Sequence, residues 1–410
     1  MNKCQHSSGG VRMSFSERSR SLPASPIRRL EPFAEETRAR GIRIYPLHIG
    51  QPDIETPGLF FESLRKFSSR TLAYGRSHGE LGLIDKIVEY YGKIGIPLER
   101  ENILVTNGGS EALNFAVNIA CDPGDSILVP EPFYPAYAAF ASLATAGIIP
   151  VTTRAEDGFH LPPGNEINKL IKPSTRAILL SHPGNPTGVV YTKKEIETIT
   201  DLAVEHDLLL IADEVYREFV YMDEPYLSFG KVDRLRDRLV IVDSVSKRYS
   251  ACGARIGCLV SRNREFMSLA LKHCQSRGSS PTLEQVGAAA LYETPDSYLE
   301  AVNQEYRKRR DILFDGLNGI PGIICKKPEG AFYIMAKLPV DDAEKFIIWM
   351  LQEFAVNGET VMASPAEGFY ATPGLGKSEI RMAYVLNEED LKKAVGILAN
   401  GISAYPGKTL

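Results

Sequence analysis

No stretch of this 410-residue chain approaches the ~18 consecutive apolar residues that a helix needs to cross a bilayer, so no helical membrane span is expected. There is no basic excess either. Lysine and arginine number 47 against 51 aspartates and glutamates, a net charge of −4, which removes the usual electrostatic reason to bind nucleic acid or an anionic membrane. The six cysteines, Cys4, Cys121, Cys252, Cys258, Cys274 and Cys325, include no C-x-x-C pair, and the seven histidines form no H-x-x-x-H pattern. A metal is therefore not expected, and nor is a disulfide framework in a chain of this size. The opening MNKCQHSSGGVRMSFSERSRS lacks the apolar segment of a secretory signal. Residues 1–24 read as a disordered leader, and the compartment as cytoplasm.

What is present is apolar material for a large core, 44% of the residues, and the length suits a large domain with a smaller one. From Ile103 onward, short β-rich runs alternate with helical ones. ILVT (103–106) leads into a helix from Ser110, SILVP (126–130) into one near Ala136, and AILLS (177–181) into KKEIETITDLAVEHD (193–207). LLLIAD (208–213), RLVIVDS (238–244) and RIGCLVS (255–261) follow. Strands apolar throughout, rather than alternating, are buried on both faces, which predicts a mostly parallel sheet between two helix layers. Residues 301–410 change character and, with 25–60, are expected to form a smaller α/β domain beside a large one at 61–300. In such a sheet the ligand crevice lies at the carboxyl ends of the strands. The polar motifs fall there: NGGS, PEPFYP, HPGNPTG, DEVY and DSVSK each follow a strand.

Lys247 closes DSVSK after an apolar strand, where partial desolvation suits a nucleophilic amine. Read as S-x-x-K with Ser244, it suggests a penicillin-recognising enzyme, but neither S-D-N nor K-T-G occurs. The stretch ATPGLGKS (371–378) approaches a nucleotide-binding phosphate loop. It lacks the first glycine, and EIRMAYVL after it reads as a strand where a helix is required. A turn is expected, with an NTPase as a distant alternative. In LVTNGGSEAL, Ser110 and the backbone N–H groups at a helix start could hold a phosphate, or Ser110 could be an ordinary N-cap. Asp213 ends an apolar strand and needs a cation or a strong donor. With no second ligand at useful spacing, a protonated ring nitrogen suits it better than a metal.

Taken in order, NGGSEAL, HPGNPTG, DEVY, SVSKRYSACGARIG and EIRMAY resemble the class I/II pyridoxal-phosphate-dependent aminotransferases of fold type I, most of all the prokaryotic aspartate aminotransferase group. The likeness runs from about Ser25 to about Ala404. It implies pyridoxal 5'-phosphate as cofactor, held covalently by Lys247, which also carries the substrate proton. Asp213 is implied at the pyridinium nitrogen, Tyr216 and Asn185 at the phenolic oxygen, and Tyr134 on the ring face. Gly109, Ser110, Ser244 and Arg255 are implied at the phosphate, with Tyr74 reaching the phosphate of a neighbouring subunit, hence a homodimer. Arg381, Gly50 and Asn185 are implied at the substrate α-carboxylate.

The implied reaction is ping-pong transfer between an L-amino acid, aspartate first, and a 2-oxo acid, 2-oxoglutarate first. A cystathionine-type β-lyase on the same fold is the runner-up. Two arginines are candidate readers of a side-chain carboxylate, Arg28 in SPIRRL and Arg277 in QSRGSS.

Overall fold

The protein is described from a computed structural model that covers residues 15–20 and 22–409. The leader expected at 1–24 lies largely outside the described residues. Its end carries one exposed helical turn, Glu17–Arg20.

Seven strands form the principal sheet: β1 Ile103–Thr106, β2 Ser126–Glu131, β3 Gly147–Thr152, β4 Thr175–Ser181, β5 Leu209–Asp213, β6 Leu239–Ser244 and β7 Gly257–Val260. Their order is β1-β7-β6-β5-β4-β2-β3. Every pairing is parallel except those of β7, which runs antiparallel to both β1 and β6. The strands read as uniformly apolar are buried nearly from end to end, as the absence of alternation predicts. Separate apolar clusters cover the two faces, one around Ile84, Ile178 and Leu210, the other around Ala116, Leu179 and Val240.

Two local readings change. β3 was not foreseen: it is an edge strand with alternating exposure, and Pro150 within it is tolerated because an edge position leaves one row of N–H groups unpaired. The helix expected at 193–207 ends at Glu205, because Asp207 adopts a left-handed backbone with φ 53°. Its start is fixed by a reciprocal cap in which Thr192 and Glu195 satisfy each other's backbone N–H groups.

A second, antiparallel sheet orders Ser364–Pro365, Glu379–Ala383, Tyr333–Lys337 and Ile324–Cys325. Its apolar cluster draws on Leu30–Leu47 and Val302–Tyr405, and also takes in Tyr216, Phe219 and Tyr221 from just beyond β5. The two cores therefore interlock beside the carboxyl ends of the large sheet. Helix Asp296–Asn318 carries the chain from one to the other.

The ATPGLGKS stretch is a turn leading into the strand Glu379–Ala383, not into a helix, so it cannot cradle a phosphate in the manner of a nucleotide-binding loop. Glu131, at the end of β2 and fully buried, anchors it. Its carboxylate accepts from Ala371 N (2.8 Å), Thr372 N (3.0 Å), Thr372 Oγ1 (2.6 Å) and Thr152 Oγ1 (2.8 Å). Beside it, Phe133 N donates to the Phe369 carbonyl at 2.8 Å. Removal of the carboxylate strands four donors at once, so Glu131→Ala is expected to lower unfolding free energy by about 3–5 kcal/mol in urea titration. A loss under about 1 kcal/mol would show that the clamp is not structural.

Candidate active site

Strand direction sets where each polar group lies. β1, β2, β4, β5 and β6 all end at one edge of the sheet, so Asp213, Ser244 and the NGGS turn arrive there together. β7 runs the other way, so that its beginning shares this edge and the Arg255 that precedes it belongs to the same crevice. In register, Gly257 pairs with Thr106 on one side and Ser244 on the other. A Cβ at Gly257 would lie 2.6 Å from the Gly108 carbonyl carbon, so only glycine lets the turn approach this strand.

That approach builds a cup for an anion. Gly108, with φ 77°, is the N-cap of helix Gly109–Ala120, and Gly109 and Ser110 begin the first turn, where N–H groups have no intrahelical partner. Ser110 is exposed and is not the N-cap, so of its two sequence readings the capping one is excluded. Arg255 folds over the turn: its Nη1 donates to Cys252 O at 2.9 Å and its Nη2 to Asn107 O at 3.4 Å. A Cβ on Gly108 would fall 2.4 Å from Arg255 Nη2. Ser244, also assigned to this cup, uses its hydroxyl internally. It sits 2.9 Å from Ile256 O, 2.8 Å from Ser246 Oγ, and accepts from Ser246 N at the start of helix Val245–Arg248.

Asp213 is buried at the end of β5, and burial pushes its carboxyl up to about 6 despite opposing donors. Tyr137 donates its hydroxyl to Oδ2 at 2.8 Å, and Val215 N lies 3.4 Å from Oδ1. Among the described residues no cation pairs with it. Lys247 stands on the short helix after β6, its Nζ donating to Gly50 O at 2.8 Å and lying 3.5 Å from Cys252 Sγ.

Arg381 projects from the strand Glu379–Ala383 and is 2% exposed. Its Nη1 donates to Asn185 Oδ1 at 3.1 Å and its Nη2 to His48 O at 2.6 Å, while Nε has no partner. Among the described residues no carboxylate pairs with it, and burial holds its guanidinium below the usual arginine range. Because the Asn185 side-chain oxygen faces Arg381, its amide nitrogen is turned to donate elsewhere. Tyr216 has its hydroxyl 2.8 Å from that of Tyr333. Contacts gather these groups around one space: Tyr134 packs edge-on against Tyr137, which donates to Asp213, while Tyr333 meets Tyr216, Arg381 and Gly50, whose carbonyl holds Lys247.

Of the remaining sequence candidates, Tyr74 is 96% exposed and stands clear of its own crevice. Arg28 is exposed, and its charge adds to those that hold the Glu31 carboxyl below its ordinary value. Arg277 is tied inside the chain to Ser280 Oγ (2.7 Å), Val105 O (2.8 Å) and Glu111 (3.3 Å), so it is a structural arginine as folded. Tyr137 and Tyr333 were not singled out in the sequence. Tyr137 carried a faint signal, lying one helical turn beyond Tyr134; Tyr333 carried none beyond its aromatic company in PEGAFY.

Residues 47–398 match the sequence model of the family described as aminotransferase class I and II. The chain is 29% identical to the aspartate aminotransferase of Pyrococcus horikoshii, over 86% of this chain and 89% of that one. It is 31% identical to the arginine–pyruvate transaminase of Pseudomonas aeruginosa, over 87% and 89%. The solved structure of the Thermus thermophilus aspartate aminotransferase with maleate superimposes with a TM-score of 0.86 at 27% identity, covering 95% of this chain and all of that one. The mostly parallel sheet between helix layers is the fold-type-I arrangement expected from the motifs. With the family matched across most of its length and the fold in agreement, the chain belongs to the class I and II aminotransferases.

Proposed function

We propose that this aminotransferase moves the amino group of an acidic L-amino acid, aspartate foremost, to 2-oxoglutarate with pyridoxal phosphate as cofactor. It would act as a cytoplasmic homodimer in which residues 61–300 form the cofactor domain and 25–60 with 301–410 the smaller one. One observation carries the cofactor and substrate reading. Asp213 and Arg381, both buried and of opposite charge, face the crevice of Lys247, and neither has a counter-ion among the described residues. Burying each charge costs several kcal/mol, which a ligand with a cationic ring nitrogen and a carboxylate would offset at both ends.

The residues present fit that cofactor. The N–H groups of Gly109 and Ser110, the Ser110 hydroxyl and Arg255 suit its phosphate, in a cup that no side chain at Gly108 could share. Ser244 closes the floor of the cup, and a rotation of its hydroxyl away from Ile256 would add a donor. Asp213 suits the protonated ring nitrogen, Tyr216 and the Asn185 amide the phenolic oxygen, and Tyr134 the ring face. When bound, the cofactor supplies an electron sink for the charge developing at the substrate Cα.

The chain's own residues do the rest. Arg381 offers a fork to the α-carboxylate, with Asn185 and the Gly50 N–H beside it. Lys247 Nζ, held at the crevice mouth by Gly50 O, removes the Cα proton from the donor and returns one to Cα of the new amino acid. The bare side chain of Tyr74 supports the dimer, in which it would reach the neighbouring phosphate. Relatives named aspartate aminotransferase support an acidic donor, and Arg28, exposed on the N-terminal segment, is the cation proposed to read its side chain. Arg277, engaged by Ser280, Val105 and Glu111 in its own fold, is not part of this proposal.

The test of the reaction is oxaloacetate formation from aspartate and 2-oxoglutarate, with parallel initial-rate lines at varied co-substrate. Arg28→Ala should lower the aspartate-to-alanine ratio in kcat/KM about tenfold, the worth of one charge-assisted contact. Pyruvate release from cystathionine, with no oxaloacetate from aspartate, would instead indicate β-elimination.

Lys247→Ala should lose the borohydride-trappable lysine adduct and at least about a thousandfold in turnover, while still binding cofactor through the phosphate contacts. Trapping at another lysine would contradict the assignment.

Asp213 yields a pH test on cofactor-free protein. Its carboxyl is raised to about 6 from 3.8, so the folded state binds the extra proton between these values. Stability therefore falls as pH rises through that window, and the full cost of the buried charge is present above it. Asp213→Asn should stabilise the cofactor-free protein at pH 8 by about 1–3 kcal/mol, much less at pH 4, and still lose most turnover. An equal effect at both pH values would show that the charge is not the cause.

A further inference from the structure

Tyr333 has no part in the roles assigned above, yet it touches three of them. It follows a segment, 328–332, that is held from both sides. Glu329 N and Gly330 N donate to Gly188 O at 2.9 and 2.8 Å, and Ala331 N donates to Phe219 O at 2.9 Å. The Ala331 carbonyl accepts from the hydroxyls of Tyr221 (2.6 Å) and Tyr384 (3.2 Å). Ala331 itself has φ 54°, a left-handed conformation that costs a residue with a Cβ roughly 1–2 kcal/mol. Such strain persists only where the surroundings over-determine the backbone. Here the five hydrogen bonds hold the chain so that Tyr333, two residues beyond Ala331, enters the crevice.

Three contacts follow from that aim. The Tyr333 hydroxyl lies 2.8 Å from the Tyr216 hydroxyl. Its ring lies 4.5 Å from Arg381 Cζ. A Cβ on Gly50 would stand 1.9 Å from its hydroxyl oxygen, so position 50 is glycine because Tyr333 occupies the space.

We propose that Tyr333 is a positioning residue: its hydroxyl donates to Tyr216 Oη, leaving the Tyr216 proton for the ligand, and its ring supports the Arg381 guanidinium. The proposal rests on the reading that Tyr216 donates to the cofactor's phenolic oxygen. Each phenol carries one proton. If Tyr216 gives its proton to the ligand, the 2.8 Å contact is a hydrogen bond only with Tyr333 as donor. A hydroxyl that accepts becomes a stronger donor, by roughly 10–30% per bond. The ring adds a cation–π contact to an arginine that no carboxylate among the described residues neutralises.

Tyr333→Phe removes the donor and keeps the ring. In protein loaded with pyridoxal phosphate, the pH midpoint of the visible absorbance should rise by on the order of half a unit, because weaker donation leaves the phenolic oxygen more basic. The KM for aspartate and for 2-oxoglutarate should change less than about twofold. In a Tyr216→Phe background the same substitution should shift the midpoint no further, since Tyr333 acts through Tyr216. Tyr333→Leu, which loses the ring as well, should raise both KM values roughly three- to tenfold. The proposal is overturned by an unmoved midpoint in Tyr333→Phe, or by an equal shift with and without Tyr216. Failure of the cofactor reading shows separately, as wild-type protein that takes up no pyridoxal phosphate, and the proposal then falls with it.

Discussion

A carboxylate at the end of a buried strand is the constraint around which the crevice is arranged. Asp213 sits between two parallel neighbours, with Ser181 and Val242 beside it in register, so the sheet itself prevents it from reaching solvent. Two donors from its own chain, Tyr137 and Val215, lower the cost without removing it. A carboxyl left near 6 is poised between proton and counter-ion at physiological pH. Among the described residues no cation meets Asp213, and Arg381, on the same crevice, meets no carboxylate. Preorganised charges of this kind need no reorganisation when the ligand arrives.

The sheet topology makes the arrangement compact. One reversed strand, β7, brings Arg255 to the edge where the six parallel strands end, and Gly257 within it allows the NGGS turn to close over it. The second sheet contributes Arg381, and the strained segment at Ala331 contributes Tyr333. Glu131 and the Phe133 to Phe369 hydrogen bond tie the large sheet to the segment that leads into the second. The spacing of the two charged ends is therefore set by contacts between the sheets rather than by either one alone.

Much of this was legible in the chain because burial on both faces leaves a mark: strands such as LLLIAD and LVIVDS have nowhere to place a polar residue until they end. Asp213, Ser244 and Lys247 stand out for that reason. β3 was not legible, since a half-exposed edge strand containing Pro150 has no uniform pattern. Contacts made across long sequence separations were not legible either. Tyr137 meets Asp213 across 76 residues and Tyr333 meets Tyr216 across 117, and no local pattern encodes such pairs. Arg277 shows the converse: the residue type suggested a ligand, whereas its partners, Ser280, Val105 and Glu111, lie in its own fold. ATPGLGKS was recognisable as a turn, but the buried carboxylate that holds it was not.

The central claim, that the buried carboxylate keeps a ring nitrogen protonated, has a direct measurement. Pyridoxal phosphate labelled with ¹⁵N in the ring can be bound to the protein at pH 8 and its nitrogen shift recorded by NMR. The account requires a protonated nitrogen in the wild-type protein, well above the pH at which the free ring loses its proton, and an unprotonated one in Asp213→Asn. An unprotonated nitrogen in wild-type protein with Asp213 intact would contradict it.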